Sequence, residues 1–378
     1  MKAAIFHGKG NIRIEEVTPA VLMPGEVRVQ IAVALTCGTD LKVLKRGYHA
    51  KMLTPPSLFG HELAGTICEI ADPAGGVSPW EIGDRVVVAN SAPCGTCYFC
   101  KSGHENLCED LVFLNGAYAE TIAVPARFVE KNMVRLKTET AFEDAALAEP
   151  LACVVQGIED LNLRAGQEIL VLGAGPIGLM FVALAKYLRC NVSVAGRGAN
   201  RLRAALRLGA ERVFDVGKDG NIMRAVTADA AGISKSNGRP VANAPITAPA
   251  VQRAGLPRGD SPQPQFDVVI EAIGKPETWE AAVRLVRKGG AVNFFGGCPG
   301  GTTVSFDTHM IHYSALKLFA SFHHTPRTFR RAIEFIEKGV IRARDFVDGE
   351  WPLTKLPELF QKMAEGNRAI KTLVRVAQ

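Results

Sequence analysis

The chain has 378 residues, 47% of them hydrophobic and 22% charged, a length that exceeds what one core usually supports and so predicts two domains. Lys and Arg outnumber Asp and Glu by 44 to 38, but the excess is scattered over several predicted helices; nucleic acid is not the expected partner, and an anionic small molecule is compatible with the balance. No apolar run approaches the ~20 residues that span a bilayer, and the opening Met1-Lys-Ala-Ala-Ile-Phe is strand-like with no secretory signal, so a cytoplasmic protein without membrane contact is expected.

In chain order, the first hundred-odd residues are β-rich. Residues 27–33 alternate apolar with polar, and a second apolar run at 85–89 follows a Gly83-Asp84 turn. From about Gly166 the rhythm changes to short apolar strands separated by helices. Strands are predicted at 168–172, 192–195, 213–215, 267–271, 291–295 and 316–320, the count of a doubly wound α/β domain with six parallel strands. Residues 218–265 break that rhythm with many Ala, Pro, Gly, Ser and Asn. They predict a surface insertion carrying one short helix at 222–231. Amphipathic helices at 328–338 and 357–366 precede a last strand at 372–376, which can return to complete the first domain.

Four of the nine cysteines form the pattern Cys94-x₂-Cys97-x₂-Cys100-x₇-Cys108. Disulfides or four unrelated buried thiols are the alternatives to a metal. A cytoplasmic setting disfavours disulfides, and the spacing suits four thiolates on one tetrahedral Zn²⁺. Such a closed site has no free coordination position, so it would be structural.

The segment Gly173-Ala-Gly175-Pro176-Ile177-Gly178 follows a predicted strand and opens a predicted helix. Gly173 permits the tight turn, Gly175 close approach of a pyrophosphate and Gly178 helix–strand packing, with Pro176 in the first helical turn. About twenty residues on, a carboxylate would bind the ribose 2′-hydroxyl of NAD. Here the chain has Gly196-Arg197 instead, and Arg197, helped by Arg201 or Arg203, can neutralise a 2′-phosphate. NADP is therefore favoured over NAD.

Cys37-Gly-Thr39-Asp40, Phe59-Gly60-His61-Glu62 and Ala148-Glu149-Pro150 supply thiolate, imidazole and carboxylate from three separated segments. With these residues, the four-cysteine lobe and the glycine-rich turn, the chain resembles the zinc-dependent medium-chain alcohol and polyol dehydrogenases, in the subgroup of sorbitol and threonine dehydrogenases. The resemblance covers nearly the whole chain. It implies a GroES-like catalytic domain at 1–154 and 321–378, with a structural-zinc lobe at 94–108, and a Rossmann coenzyme domain at 155–320. It also implies two zincs per chain. Cys37 and His61 would bind the reacting zinc, with Glu62 or Glu149 as further ligand or as partner of its bound water.

Thr39 matches the hydroxyl that meets the substrate alcohol in this family. Where polyol-type relatives commonly carry a proton-delivering His five residues after the zinc cysteine, this chain has Lys42, which leaves the proton route open. Tyr48, His49, residues 113–115, His323 and His324 are candidates for the substrate pocket; the two late histidines suit hydroxyl or anion recognition as well as a subunit contact. Arg368 and Lys371 could reach a cofactor phosphate, but a solvated charged face is the expected reading. The resulting expectation is hydride transfer between a nicotinamide cofactor and a secondary alcohol or ketone, with a polyol, sugar derivative or hydroxylated biosynthetic intermediate as substrate. A threonine or amino-alcohol dehydrogenase and a non-catalytic NADP(H)-binding sensor are the alternatives. The resemblance also implies a homodimer or homotetramer.

Overall fold

In a computed structural model the described residues are 1–49, 51–72, 78–217, 221–230, 266–366 and 369–376. The first part is built around the strand Val27–Leu35. Its alternating Val27, Val29, Ile31 and Val33 are buried, as the period of two requires. Three strands share its edges: Leu63–Ile70 along its length, Thr121–Val124 beside its first half, and Lys371–Arg375 beside its last residues. The seven-stranded sheet continues outward through Arg85–Val88 and Met133–Arg135 on one side and Val347–Pro352 on the other. A smaller sheet of Asn11–Glu16, Lys2–Gly8 and Ser57–Leu58 packs close by. Phe59 sits at the centre of this core, with ring centroids 5.3 Å from Phe6, 6.0 Å from Tyr118 and 5.7 Å from Phe360.

The second sheet runs in the order Arg212–Asp215, Asn191–Gly196, Glu168–Leu172, Phe266–Glu271, Val286–Phe294, Lys317–Phe319, with every neighbouring pair parallel. This is the six-strand doubly wound order 3-2-1-4-5-6. It places the ligand crevice where the order reverses, at the ends of Glu168–Leu172 and Phe266–Glu271. Apart from Glu168, Asp267 and Glu271 at or near their ends, the central strands are apolar, because helices cover both faces. Boundaries differ from expectation mainly at the fifth strand, which begins at Val286 and not at 291. The helix expected from 328 starts at Pro326, where the Thr325–Thr328 capping box fixes its first turn. The helix expected in the insertion is present as Ile222–Ala230; residues 218–220 and 231–265 lie outside the described residues, as does Arg368.

The helix Ala148–Leu161 joins the two sheets. It packs against Pro176–Tyr187 and against Pro326–Glu337, and one continuous core runs from Val33, Leu35 and Val87 through Leu151 and Val155 to Ile169, Phe181 and Phe329. Its first turn therefore points a side chain at the seam between the sheets.

Candidate active site

Cys37 caps the helix Gly38–Arg46 in extended backbone, and its Sγ accepts the Thr39 amide at 3.4 Å. The cap sets the thiol at the mouth of the seam and buries Asp40 one turn in. Asp40 Oδ2 accepts the Tyr118 hydroxyl at 2.8 Å, and Oδ1 lies 2.9 Å from His61 Nδ1, off the line of a good hydrogen bond. Burial disfavours protonation of His61, yet the Asp40 carboxylate and Cys37 beside it hold its pKa well above the usual value. With Nδ1 facing Asp40, Nε2 is the nitrogen left to ligate. Gly60, at φ +87°, turns the chain into this position, and a Cβ there would lie 2.5 Å from the Tyr118 ring.

Glu62 is fully buried, and both of its oxygens accept from Lys371 Nζ, at 2.7 and 2.5 Å. Lys371 also donates to the Thr36 carbonyl at 3.0 Å. This corrects the expectation of a solvated Lys371: only 3% of it is exposed. Burial pushes Glu62 upward against the pull of Lys371; the Lys371 pKa is raised although burial opposes it, because Glu62 faces it. The last strand starts at Lys371 and all but its final residue are buried, so the lysine enters the core with it. A lysine heading the strand-forming run Thr-Leu-Val was the only signal in the sequence.

One ligand-type atom each from Cys37, His61 and Glu62 lie within 4.8 Å of one another. Glu149, in the first turn of Ala148–Leu161, is buried, and desolvation pushes its carboxyl up to about 7. Its carboxylate groups with His323 and His324, again within 4.8 Å. His323 Nε2 lies 2.6 Å from Ser91 Oγ, and His324 Nε2 lies 2.9 Å from Asn90 Oδ1. Burial keeps both rings neutral, with His323 at about 4 and His324 well below its usual value. A cleft of about 410 Å³ opens over these groups; Thr39, Lys42, His49 and Phe113 line it from the first part, and Ile177 and Ile273 from the second. His323 lines the cleft as well, whereas Tyr48 is 63% exposed and is not among its lining residues.

Gly173 (φ +115°), Gly175 and Gly178 form the turn from the first parallel strand into the helix Pro176–Tyr187. A Cβ on Gly178 would stand 1.8 Å from the Gly173 carbonyl, while one on Gly175 would meet nothing within 4 Å. Helix packing thus excludes a side chain at one glycine, and the other leaves room for a ligand. Gly175 caps the helix with no side-chain bond, so the helix N–H groups face the crevice. Gly196 ends the second strand against Ala174, and Arg197 beyond it is exposed. Arg201 donates to the Ala369 carbonyl at 2.8 Å, tying this half of the crevice to the C-terminal segment.

Cys94, Cys97, Cys100 and Cys108 bring their Sγ atoms within 4.8 Å of one another. The Cys94–Cys100 and Cys97–Cys108 separations are both 3.9 Å, close to the ~3.8 Å edge of a tetrahedron with Zn–S of ~2.3 Å and far beyond a disulfide bond. The Thr96 hydroxyl and amide, with the Cys97 amide, lower the Cys94 thiol to about 5. All four fit a closed zinc site.

The family model for the alcohol dehydrogenase GroES-like domain matches residues 23–134, and that for zinc-binding dehydrogenases matches 176–338. D-altritol 5-dehydrogenase of Agrobacterium fabrum is 32% identical over 373 residues, 96% of each chain. The chain belongs to the zinc-binding alcohol dehydrogenases. Sorbitol dehydrogenase of Bacillus subtilis is 26% identical over 99% of this chain and 97% of its own. Among solved structures, a Sinorhizobium meliloti protein assigned to the zinc-binding dehydrogenases and bound to NADP superposes with a TM-score of 0.82 at 27% identity, over 99% of both chains. As a zinc-binding dehydrogenase the protein is an NAD(P)-dependent oxidoreductase acting on a small-molecule alcohol or the matching carbonyl. Among the described residues no helix is long and apolar enough to cross a membrane.

Asp40, Tyr118 and Lys371 are the site residues that motif reading missed. Asp40 was visible inside Cys37-Gly-Thr-Asp40, but its partner Tyr118 lies 78 positions away. No local spacing links them.

Proposed function

We propose that the protein is a cytoplasmic, NADP-preferring, two-zinc dehydrogenase that oxidises a secondary hydroxyl of a polyol or sugar derivative, or reduces the corresponding ketone. The observation that carries this reading is the convergence of Cys37, His61 and Glu62 under a cleft whose opposite wall is Ile177 and Ile273, at the mouth of the dinucleotide crevice. Thiolate, imidazole and carboxylate are a zinc donor set, and three protein ligands leave one position for substrate. Bound there, Zn²⁺ supplies Lewis acidity that makes an alcohol proton easier to remove, and the dinucleotide supplies the hydride acceptor.

The chain's own residues do the rest. Asp40, held by Tyr118, orients His61; Lys371 balances the buried Glu62 charge. Thr39 meets the substrate hydroxyl at the cleft wall, and Lys42 beside it passes the proton outward. Glu149 hydrogen-bonds the substrate oxygen from the opposite side. Arg197, with Arg201, holds the 2′-phosphate of NADP, and Gly175, Pro176 and Ile177 cradle its pyrophosphate. Residues 1–154 with 321–378 form the catalytic domain and 155–320 the coenzyme domain, a division supported by the pairing of Lys371–Arg375 with Val27–Leu35. A homodimer or homotetramer fits the exposed Tyr98 on the four-thiol lobe and the exposed Val112 and Phe322 near it.

The polyol reading is preferred over an amino alcohol because the relative at 32% identity carries a polyol name. Zinc analysis with initial rates on polyols, threonine and their ketones, with NADP(H) and NAD(H), tests the proposal. Two zincs per chain, one lost together with turnover in Cys37→Ser, and activity on a polyol with NADP⁺ are expected. One zinc confined to the four-thiol lobe in the wild type would indicate a non-catalytic binding protein, and activity on threonine alone would remove the polyol assignment.

A further inference from the structure

Glu149, His323 and His324 form a second donor set beside the first. One ligand-type atom from each lies within 4.8 Å of the others, and two imidazoles with a carboxylate are the N,N,O set that borderline divalent metals take. Each imidazole is already fixed through one nitrogen by a buried polar neighbour. His323 Nε2 is held at 2.6 Å by Ser91, which is 1% exposed; His324 Nε2 is held at 2.9 Å by Asn90. A histidine that binds a metal is anchored in this way through its second nitrogen.

Two further features point the same way. His324 Nδ1 is buried without a hydrogen-bond partner among the described residues. An unsatisfied buried polar atom lowers stability, so folding retains it against a penalty that a ligand would relieve. His323 adopts φ +61°, a left-handed backbone that a side chain other than glycine rarely takes, and its ring lines the cleft.

We propose that Glu149, His323 and His324 bind a divalent transition metal, Zn²⁺ foremost, at a position separate from the Cys37–His61–Glu62 set. Glu149 and His323 both line the cleft, so an ion here takes space that the alcohol needs. Excess Zn²⁺ therefore inhibits turnover in competition with the alcohol. The inhibition rests on reading the cleft as the alcohol site; the binding itself does not.

Equilibrium dialysis of the purified full chain against excess Zn²⁺, followed by elemental analysis, tests the binding. The wild type is expected to hold one zinc more per chain than His323→Gln/His324→Asn. Anomalous diffraction from wild-type crystals soaked in Zn²⁺ is expected to place a peak between Glu149, His323 and His324, a readout that needs no variant to fold. Added Zn²⁺ is expected to raise the apparent KM for the alcohol several-fold while the rate at saturating alcohol recovers. No peak at these three side chains, or equal zinc content in a folded double variant and the wild type, overturns the proposal. A Cys37→Ser chain that keeps all its zinc would instead refute the proposed reacting site and leave this one standing.

Discussion

Gly60→Ala isolates the backbone turn that delivers His61. At φ +87° an alanine carries the left-handed penalty of about 1–2 kcal/mol. Its Cβ would also stand 2.5 Å from two ring carbons of Tyr118, a fully buried side chain in van der Waals company with Phe59 and Phe360, so the ring must shift. Overpacking of that kind costs about 1–3 kcal/mol more, for a total near 3 kcal/mol. Unfolding entropy grows with chain length, so a protein of this size loses about 1–2 °C per kcal/mol and the unfolding temperature should fall by about 4–6 °C. The shift also pulls the Tyr118 hydroxyl from Asp40, so zinc content and turnover should fall further than stability alone explains. Gly10→Ala is the control: φ is +69°, but nothing lies within 4 Å of the new Cβ, so only the backbone penalty applies. Differential scanning calorimetry of both variants, with zinc analysis, decides the matter. If Gly60→Ala melts no lower than Gly10→Ala, the contact with Tyr118 does not hold the turn and the reasoning fails.

Lys42→Ala should leave zinc content unchanged and alter the pH profile of turnover; an unaltered profile removes Lys42 from the proton route. Arg197→Ser should raise the KM for NADP⁺ roughly 10- to 100-fold, the worth of a charge-assisted phosphate contact, with little effect on NAD⁺; equal effects on both would show that Arg197 does not read the 2′-phosphate. Burial slightly opposes ionisation of Asp84, but Arg135 at 2.6 Å and the Glu81 amide outweigh it and hold its carboxyl below the usual value. A depressed folded pKa gives stability that is present above the unfolded pKa of ~3.9 and lost as pH falls through the folded value. Asp84→Asn should therefore cost about 0.5–1 kcal/mol in urea unfolding at pH 7, with the difference from wild type narrowing below about pH 4. A difference that is constant with pH would contradict that assignment.

Local pattern made the elements legible. The apolar runs of the parallel strands, the Gly173–Gly178 turn and the four-cysteine spacing are each contained in a short window, and the physical constraint acts within that window: sheet burial, helix-end geometry, tetrahedral ligation. The spacing Cys-x₂-Cys-x₂-Cys-x₇-Cys pointed to four converging thiols because short loops limit where they can go. Boundaries slipped where capping or pairing took over, as at Pro326 and Val286.

The site was legible only in part. Cys37, His61, Glu62 and Glu149 announced themselves as ligand types, but composition and spacing could not say which of them the fold groups together. That grouping depends on the helix Ala148–Leu161, whose first turn sets Glu149 beside His323 and His324, while the cap at Cys37 joins His61 and Glu62. Lys371 shows the difference most plainly. From the chain alone it was a charged residue near a terminus; in the fold it is buried against Glu62, 309 positions earlier. Sequence by itself determined which segments become strands, helices and metal-binding loops, since those follow from neighbours along the chain. Tertiary structure decided which charges are buried and with whom they pair, because desolvation and Coulomb attraction act through space and take no account of sequence distance.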